Sequence, residues 1–396
     1  MNISIIGTGV GSDEFIFPKA IKTIDNADLI IGAKRLTQSI CNNAKQVLNL
    51  INAKDIYDAI IASDAKNIAI LMSGDIGFYS GTKSLLPYLK DFDVEVIPGI
   101  SSVQFFSSKL KMPWQNWKLA SAHGVDCNIY SIVNRNKESF FLTGGKWTIN
   151  EICKYLSEWN FENLHIYIGE NLGSETEKIS YGIVKDFVNI NVSDLAVCLI
   201  INENATKQST FSILDDDFIR GNIPMTKQEV RSIILAKMKV KSDDIIYDIG
   251  AGTGSVSVEL ALAAYDGKVF AIEREAEGVE LIKINAKKHS AYNLSIVEGN
   301  APAELEGLPI PNAAFIGGSG GNLYDIVKLL LDKNPQIRLV ITTVTLETLN
   351  EVLELLKTLE LNNSEIVQVM VSRSKKLGNY HLMMGQNPIY IISVNC

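Results

Sequence analysis

A glycine-rich turn in the second half of the chain holds the residues with the clearest chemical potential. The turn reads Asp248-Ile249-Gly250-Ala251-Gly252-Thr253-Gly254 and joins an apolar strand pattern to a helical pattern that begins at Ser255. Glycines let the backbone approach a ligand closely, and the free amides at a helix start can bind polar groups. The turn therefore predicts a site where a cofactor lies against the backbone.

Two features after this turn sharpen the prediction. Glu273 ends the next strand pattern, where a carboxylate can accept hydrogen bonds from both hydroxyls of a ribose. Asn300 and Ala301 follow the third strand pattern, where an adenine edge would lie. The Gly-x-Gly-x-Gly spacing also lacks the Gly-x-x-Gly ending of dinucleotide-binding turns. We therefore predict cofactor contacts from the turn, from Glu273 and from Asn300 and Ala301.

A second glycine cluster, Gly317-Gly318-Ser319-Gly320-Gly321, follows the fourth strand pattern of this half. In an open α/β sheet, that position faces the ligand crevice. Backbone amides exposed by such a loop can bind a large or anionic substrate. The alternative is a flexible surface loop without a ligand. We favour substrate contact by these five residues.

Three loops in the first half also follow apolar strand patterns. The first loop is Gly7-Thr8-Gly9-Val10-Gly11. The second is Ser73-Gly74-Asp75-Ile76-Gly77-Phe78-Tyr79-Ser80, and the third is Pro98-Gly99-Ile100-Ser101-Ser102. No acidic residue ends a clear second strand pattern here, which disfavours a dinucleotide site. These loops differ from the turn at Gly250, so the chain carries two unrelated loop systems.

Composition and charge restrict the class of protein. The 396 residues include 37 basic and 45 acidic side chains, for a net charge of −8, and no long basic run occurs. We therefore expect no nucleic-acid or membrane surface. The apolar runs are too short for a membrane span, and the start lacks a signal-peptide pattern. The five cysteines and four histidines are isolated, which predicts reduced thiols, a cytoplasmic location and no metal site; the cysteines are Cys41, Cys127, Cys153, Cys198 and Cys396.

The elements that must position these residues alternate between strand and helix patterns in both halves, which is typical of an α/β fold with largely parallel sheets. Thr226 and Glu229 have the spacing of a capping box and predict a helix from Thr226 to Lys239. The last two strand patterns, 366–371 and 389–394, have no clear helix between them and predict an antiparallel edge. The polar, acidic stretch 206–223 predicts a linker between domains 1–205 and 224–396.

The second half resembles the decarboxylating C-15 methyltransferases of cobalamin biosynthesis. The resemblance rests on Pro224–Arg231, the glycine turn, Gly299-Asn300-Ala301-Pro302 and Gly317–Gly321. It implies a Rossmann-like, seven-stranded methyltransferase domain that uses S-adenosylmethionine. It also implies cofactor contacts from Thr226, Gly250–Gly254, Glu273 and Ala301.

The first half resembles the tetrapyrrole methylases, and specifically the C-5 methyltransferase of the same pathway. Its three loops, Ala27–Gly32 and Leu142-Thr143-Gly144-Gly145 carry the match. The resemblance implies two α/β lobes with S-adenosylmethionine in the cleft between them. The implied cofactor contacts are Gly74, Asp75, Ser101, Ser102 and Thr143, and the implied substrate contacts are Gly7 and Gly9.

Together the halves resemble the fused precorrin-6Y (precorrin-6B) C5,15-methyltransferase (decarboxylating) family. That resemblance implies one S-adenosylmethionine per domain, a tetrapyrrole substrate with or without cobalt, and methylation at C-5 and C-15 with loss of the C-12 acetate carboxyl. We also expect a homo-oligomer. Glu229 and Arg231 are the candidates for promoting decarboxylation, and Lys34 with Arg35, or Arg373 with Lys375 and Lys376, for a basic substrate rim. The alternatives are an RNA or protein methyltransferase and a non-catalytic, cofactor-binding regulator.

Overall fold

A computed structural model describes residues 1–40, 46–123, 127–205 and 212–395. The chain divides into Met1–Thr206, which we call unit 1, and Lys207–Cys396, which we call unit 2. Cys41, Cys396 and the first part of the predicted linker, 206–211, lie outside the described residues. Among the described residues, no helix combines the length and apolar character that crossing a membrane requires, and no group of His, Cys, Asp and Glu side chains could hold a metal ion.

Lobe 1 of unit 1 is a five-stranded parallel sheet in the order β3-β2-β4-β1-β5. Side chains alternate between its faces, and both faces are covered: Ile5 packs in one apolar cluster and Ile6 in another. Its strands are β1 (Asn2–Gly7), β2 (Leu29–Gly32), β3 (Gln46–Asn49), β4 (Asn67–Met72) and β5 (Val94–Ile97), and its helices are α1 (Pro18–Asp25), α2 (Lys34–Ile40), α3 (Ala53–Ile61), α4 (Thr82–Leu85) and α5 (Ser102–Leu110).

Lobe 2 of unit 1 corrects the prediction of largely parallel sheets. Its order is β6-β7-β10-β8-β9, and only β6 and β7 run parallel. Apolar runs reveal strands but not their directions, so the sequence could not show this. The strands are β6 (Lys118–Ser121), β7 (Glu138–Leu142), β8 (His165–Glu170), β9 (Lys178–Ile183) and β10 (Ala196–Ile201), and the helices are α6 (Ile129–Arg135) and α7 (Ile149–Glu158).

Unit 2 is built on the expected seven-stranded sheet, in the order β13-β12-β11-β14-β15-β19-β16. Strand order reverses between β11 and β14, and a ligand crevice forms at the carboxyl ends beside such a reversal. The strands are β11 (Ile245–Ile249), β12 (Lys268–Glu273), β13 (Leu294–Glu298), β14 (Ala313–Ile316), β15 (Arg338–Thr343), β16 (Ser364–Val369), β17 (Ser372–Leu377), β18 (Tyr380–Gly385) and β19 (Ile389–Asn395), and the helices are α8 (Gln228–Met238), α9 (Ser255–Ala263), α10 (Ala276–Lys288), α11 (Leu323–Lys333) and α12 (Leu346–Thr358).

Two local predictions in unit 2 need correction. Strand β19 is antiparallel to both neighbours, as expected, but a two-stranded hairpin of β17 and β18 precedes it and was not predicted. Helix α8 begins at Gln228 after the N-cap Lys227, which makes no side-chain capping bond. Thr226 therefore lies before the helix, and its predicted capping box with Glu229 does not form.

The second part of the predicted linker belongs to the core of unit 2. Ile213 and Phe218 are buried against α8 and α9, and Asp215 is 5% exposed. We call residues 212–227, which run from this packed segment to the start of α8, the strap. The polar composition of 212–223 did not indicate this packing, because the charge of Asp215 is paired with the buried Arg231, which lies 16 residues later in the sequence.

Candidate functional site

The crevice of unit 2 brings together residues from four loops at the carboxyl edge of the sheet. Its walls are formed by the ends of β11 and β12 and by the loops that follow β13 and β14; they include Gly250, Glu273, Arg274, Glu275, Asn300, Ala301, Gly318, Ser319 and Gly320. The sequence predicted all of these except Arg274 and Glu275. The structure thus places predicted residues of four separate sequence features around one cavity.

The glycine turn passes very close to the second glycine cluster. Gly250 has a φ of +74°, and a Cβ there would lie 2.7 Å from the carbonyl oxygen of Gly318. Only glycine fits this approach without displacing backbone. The amides of Gly317 and Gly318 donate to the Ile249 carbonyl at 2.9 and 3.3 Å, so these two residues fix the loop to β11.

The remaining part of that cluster is open to a ligand. In the described part of the chain, the amides of Ser319, Gly320 and Gly321 have no acceptor. The Arg274 guanidinium lies beside this segment, since a Cβ on Gly320 would be 3.4 Å from its Nη1 atom. The predicted amide surface is therefore limited to 319–321. Sequence reasoning missed Arg274, although a cation directly after the strand-ending Glu273 is a detectable signal.

The Glu273 carboxylate holds the turn and the crevice floor together. It is buried, its Oε2 accepts from the Gly252 amide at 2.7 Å, and its Oε1 accepts from the amides of Arg274 and Glu275. A carboxylate has about four acceptor positions. One position on this group therefore remains for a ligand hydroxyl.

Asp248 lies beneath the turn and does not line the cavity. It is fully buried, and Ser257 Oγ on α9 donates to its Oδ2, whereas Oδ1 has no partner among the described residues. Burial raises the pKa of Asp248 to about 7; the Ser257 hydrogen bond opposes this rise, and the nearby charge of Glu273 adds to it. Asp248 therefore supports the turn from below, in place of the direct cofactor contact that the sequence predicted.

The raised pKa makes the stability of unit 2 depend on pH. Because Asp248 keeps its proton in the folded state up to about pH 7 but loses it near pH 4 when unfolded, its contribution is complete below about pH 4 and declines as pH rises to about 7. Asp248→Asn should remove this decline. Hydrogen exchange of β11 and α9, measured from pH 5 to 8, should show a flatter opening free energy in the variant. An identical pH slope in both proteins would contradict the assignment.

Arg231 holds the strap in place and is not a substrate contact. Its side chain is fully buried, and Nη1 donates to the Thr226 carbonyl at 2.6 Å and to Asp215 Oδ1 at 2.8 Å. Nε donates to Glu259 at 2.9 Å, and Nη2 donates to the Ile213 carbonyl. We therefore correct the decarboxylation candidate Arg231 to a positioning residue, which holds the strap and the Thr226 carbonyl against the start of α8.

Glu229, the other decarboxylation candidate, is paired with an arginine side chain. Arg373 on β17 donates to its two carboxylate oxygens at 3.0 and 2.5 Å and reaches Asp215 at 2.9 Å. The hydrogen bond from Arg373 holds the pKa of Glu229 below its ordinary value. Arg373, which the sequence assigned to a substrate rim, is thus an anchor between the hairpin, α8 and the strap.

In unit 1 the three predicted loops meet at the carboxyl edge of the lobe 1 sheet. Gly9 and Gly74 exchange hydrogen bonds at 3.2 and 2.9 Å. A Cβ on Gly99 would lie 2.3 Å from the Gly74 carbonyl oxygen and 2.7 Å from Gly7. The close contact of Gly7, Gly74 and Gly99 requires residues without side chains. The structure thus brings these loops together as one surface.

Asp75 connects two of these loops through its carboxylate. Oδ1 accepts from the Gly77 amide at 2.9 Å, and Oδ2 accepts from the Gly99 amide at 3.3 Å. Ser101 forms the capping box of α5 with Gln104, so its hydroxyl is used locally, and Ser102 is the first residue of that helix. These contacts show how the loops are held, and they leave mainly backbone for a ligand.

Lobe 2 approaches the same loops. The Tyr79 hydroxyl donates to the Leu119 carbonyl at 3.2 Å, and the Phe78 ring lies 6.2 Å from that of Phe140. The Thr143 hydroxyl is buried and donates to the Ala196 carbonyl at 2.8 Å, so it stabilises lobe 2 internally. Sequence reasoning gave no role to Phe78 or Tyr79, although two aromatic side chains in a polar loop are a recognisable signal.

Comparison with known families supports a division of the chain into two methylase regions. Residues 2–187 match the family described as Tetrapyrrole (Corrin/Porphyrin) Methylases. Residues 217–395 match the family described as Precorrin methyltransferase domain.

Individual proteins that are similar to this chain are named as precorrin methyltransferases. A probable cobalt-precorrin-6B C(15)-methyltransferase (decarboxylating) from Pyrobaculum calidifontis is 39% identical over 47% of this chain and 96% of its own length. A precorrin-6Y C(5,15)-methyltransferase [decarboxylating] from a Sinorhizobium species is 27% identical over 80% of this chain and 78% of its own. A crystal structure of precorrin-6Y C5,15-methyltransferase from Geobacter metallireducens is 36% identical, with a TM-score of 0.45, over 47% of this chain and 97% of that one.

Proposed function

Because the chain belongs to the precorrin-6Y C5,15-methyltransferase (decarboxylating) family, whose members transfer methyl groups from S-adenosylmethionine, we propose that its two units divide the reactions. Unit 1 methylates C-5 of the precorrin. Unit 2 methylates C-15 and removes the carboxyl of the C-12 acetate. The observation that carries the proposal is that each unit gathers its own set of glycine loops at the carboxyl ends of parallel strands.

The crevice of unit 2 fits S-adenosylmethionine. At Gly250 the Gly318 backbone leaves no room for a side chain, so backbone lines this part of the crevice, and Glu273 has an acceptor position free for a ribose hydroxyl. The Thr253 hydroxyl is buried without a partner among the described residues, as an atom that awaits a ligand or water would be. The residues proposed to hold the cofactor are Gly250–Gly254, Glu273, Asn300 and Ala301. Thr226 is included because the strap that carries it passes beside Gly252, whose Cβ position lies 3.4 Å from the Pro224 carbonyl oxygen.

Bound S-adenosylmethionine supplies a methyl group on a positively charged sulfur. The transfer is an in-line displacement by an electron-rich ring carbon, so the chain needs no strong base at the reacting atom. Its residues instead fix distance and direction and exclude water. This requirement matches a crevice of glycine backbone, and neither Glu229 nor Arg231 has a part in the chemical step that we propose.

We assign a second cofactor site to unit 1. Gly74 and Asp75 on one loop and Ser101 and Ser102 on the other form its walls, and Gly7 and Gly9 face the substrate. The contact between the Gly9 and Gly74 loops supports this assignment because it builds one continuous backbone surface. Thr143 is excluded from the proposed contacts because its hydroxyl is bonded to Ala196.

Two sites per chain give a direct prediction for binding stoichiometry. Calorimetric titration of the full chain with S-adenosylhomocysteine should saturate at two equivalents. Since the two loop systems differ, we expect two distinguishable affinities. Saturation at one equivalent, both with and without a bound tetrapyrrole, would contradict the assignment of one cofactor to each unit.

Two further predictions concern the whole protein. We expect a homo-oligomer, which light scattering of the purified chain tests by its mass relative to 43.6 kDa. We also expect a cytoplasmic location, which cell fractionation tests.

A further inference from the structure

We propose that the hairpin 372–385 of unit 2 is a docking surface for the tetrapyrrole, in which one face binds the apolar macrocycle and a lysine binds a peripheral carboxylate. The inference rests on the proposed function, since it names the wall of unit 2 that meets the substrate.

The hairpin begins at the carboxyl edge of the sheet, which is also the edge at which the crevice lies. Strand β19 is antiparallel to both β15 and β16, so β16 runs parallel to β15 and ends at the carboxyl edge. Val369 and Thr343 accordingly pair with the adjacent residues Ile389 and Tyr390 of β19. The residues that follow β15 and β16 on this edge include exposed apolar side chains, Val344, Leu346 and Met370, at 54, 71 and 74% exposure.

Charge favours an anionic ligand on this hairpin. Its sequence contains Arg373, Lys375, Lys376 and His381 but no Asp or Glu, in a chain with a net charge of −8. Arg373 is paired with Glu229 and Asp215. Lys375 and Lys376 are exposed and form no ion pair within the described residues. Two copies of this hairpin would repel each other, whereas a polycarboxylate would be attracted.

One face of the hairpin carries several apolar side chains, and the contacts of Arg373 fix the direction in which this face points. Side chains alternate along a strand, so Lys375 and Leu377 share the face of Arg373, which reaches toward α8 and the strap. Across the hairpin, Leu382 pairs with Lys375 and Tyr380 pairs with Leu377. Leu377, Tyr380 and Leu382 are 62, 76 and 48% exposed. Within the described residues, this face therefore combines an apolar surface with one cation that forms no ion pair, Lys375, which complements a flat ring that carries acidic side chains.

The opposite face provides matched controls. Lys376 and Met383 lie next to Lys375 and Leu382 in sequence but on the other side of the hairpin, and both are exposed. Lys375→Glu and Leu382→Ser should each raise KM for the tetrapyrrole at C-15 about tenfold at low ionic strength, equivalent to about 1.4 kcal/mol. The sequence assigned Lys376 to the same basic rim as Lys375, but it lies on the opposite face, so Lys376→Glu and Met383→Ser should change KM less than about twofold. In all four variants kcat and S-adenosylhomocysteine affinity should stay unchanged.

Direct binding and particle mass separate the competing explanations. Tetrapyrrole affinity, followed by its absorbance shift, should change in parallel with KM. If the wild-type chain binds the tetrapyrrole without methylating C-15, the proposed function fails, and the four affinities still decide the role of the hairpin. Equal affinities in all variants would overturn the inference. A lower particle mass in Lys375→Glu or Leu382→Ser with unchanged tetrapyrrole affinity would overturn it in favour of self-association.

Discussion

Gly252→Val is expected to abolish C-15 methylation together with decarboxylation and to leave C-5 methylation intact. Gly252 has a φ of +58°, and its Cβ position lies 3.4 Å from the Pro224 carbonyl oxygen and 3.5 Å from Ile223. A β-branched side chain is strained in that conformation and would disturb the bond from the Gly252 amide to Glu273. We expect the C-15 rate to fall roughly 100-fold or more.

The measurement is product mass with two substrates. The variant should not modify a precorrin that lacks the C-15 methyl group. It should still add one methyl group, at C-5, to a substrate that already carries the C-15 methyl group. Gly307→Val is the matched control, because a Cβ at Gly307 meets nothing within 4 Å. Loss of both methylations in a folded Gly252→Val protein would show that the two sites are not independent.

Asp75→Ala should produce the reverse outcome. Its carboxylate accepts from the amides of Gly77 and Gly99, and each hydrogen bond to a charged group contributes about 1.5–3 kcal/mol. The bond to Gly99 is long at 3.3 Å, so we count about one full bond as lost and expect cofactor affinity in unit 1 to fall roughly 10- to 100-fold. The product should carry the C-15 methyl, lack the acetate carboxyl and lack the C-5 methyl.

Asp58→Ala, an exposed position on α3, is the control for this variant and should give the complete product. Normal C-5 methylation by Asp75→Ala at limiting S-adenosylmethionine would contradict the role of Asp75. A variant that also fails at C-15 while it remains folded would contradict the division of labour between units.

The core of the fold was predictable because buried strands leave continuous apolar runs. The strand pattern 389–394 matches β19, in which residues 391–394 are buried. The hairpin could not be found in this way, since nearly all its side chains are exposed and neither strand has a buried face. Strand direction in lobe 2 was likewise hidden, because β10 has the same apolar composition whether its neighbours run parallel or antiparallel.

The crevice of unit 2 was predictable to the extent that its chemistry is carried by backbone. A glycine at Gly250 signals a close approach, and the structure has the Gly318 backbone at that point. Side-chain roles that depend on distant partners were not readable. Arg231 was assigned to chemistry because it lies near Thr226, yet its charge is balanced by Asp215 and Glu259.

The strap defines where an autonomous second enzyme could be cut from this chain. A protein that begins at Pro224 would lack Asp215, the Ile213 carbonyl and the Phe218 ring, which lies 4.8 Å from the Arg231 guanidinium. It would retain a buried cation with part of its compensation removed, at a cost of about 3–5 kcal/mol. Any dissection of the two activities into separate polypeptides, in the laboratory or by gene fission, must therefore leave Ser212 and all that follows it with the second enzyme.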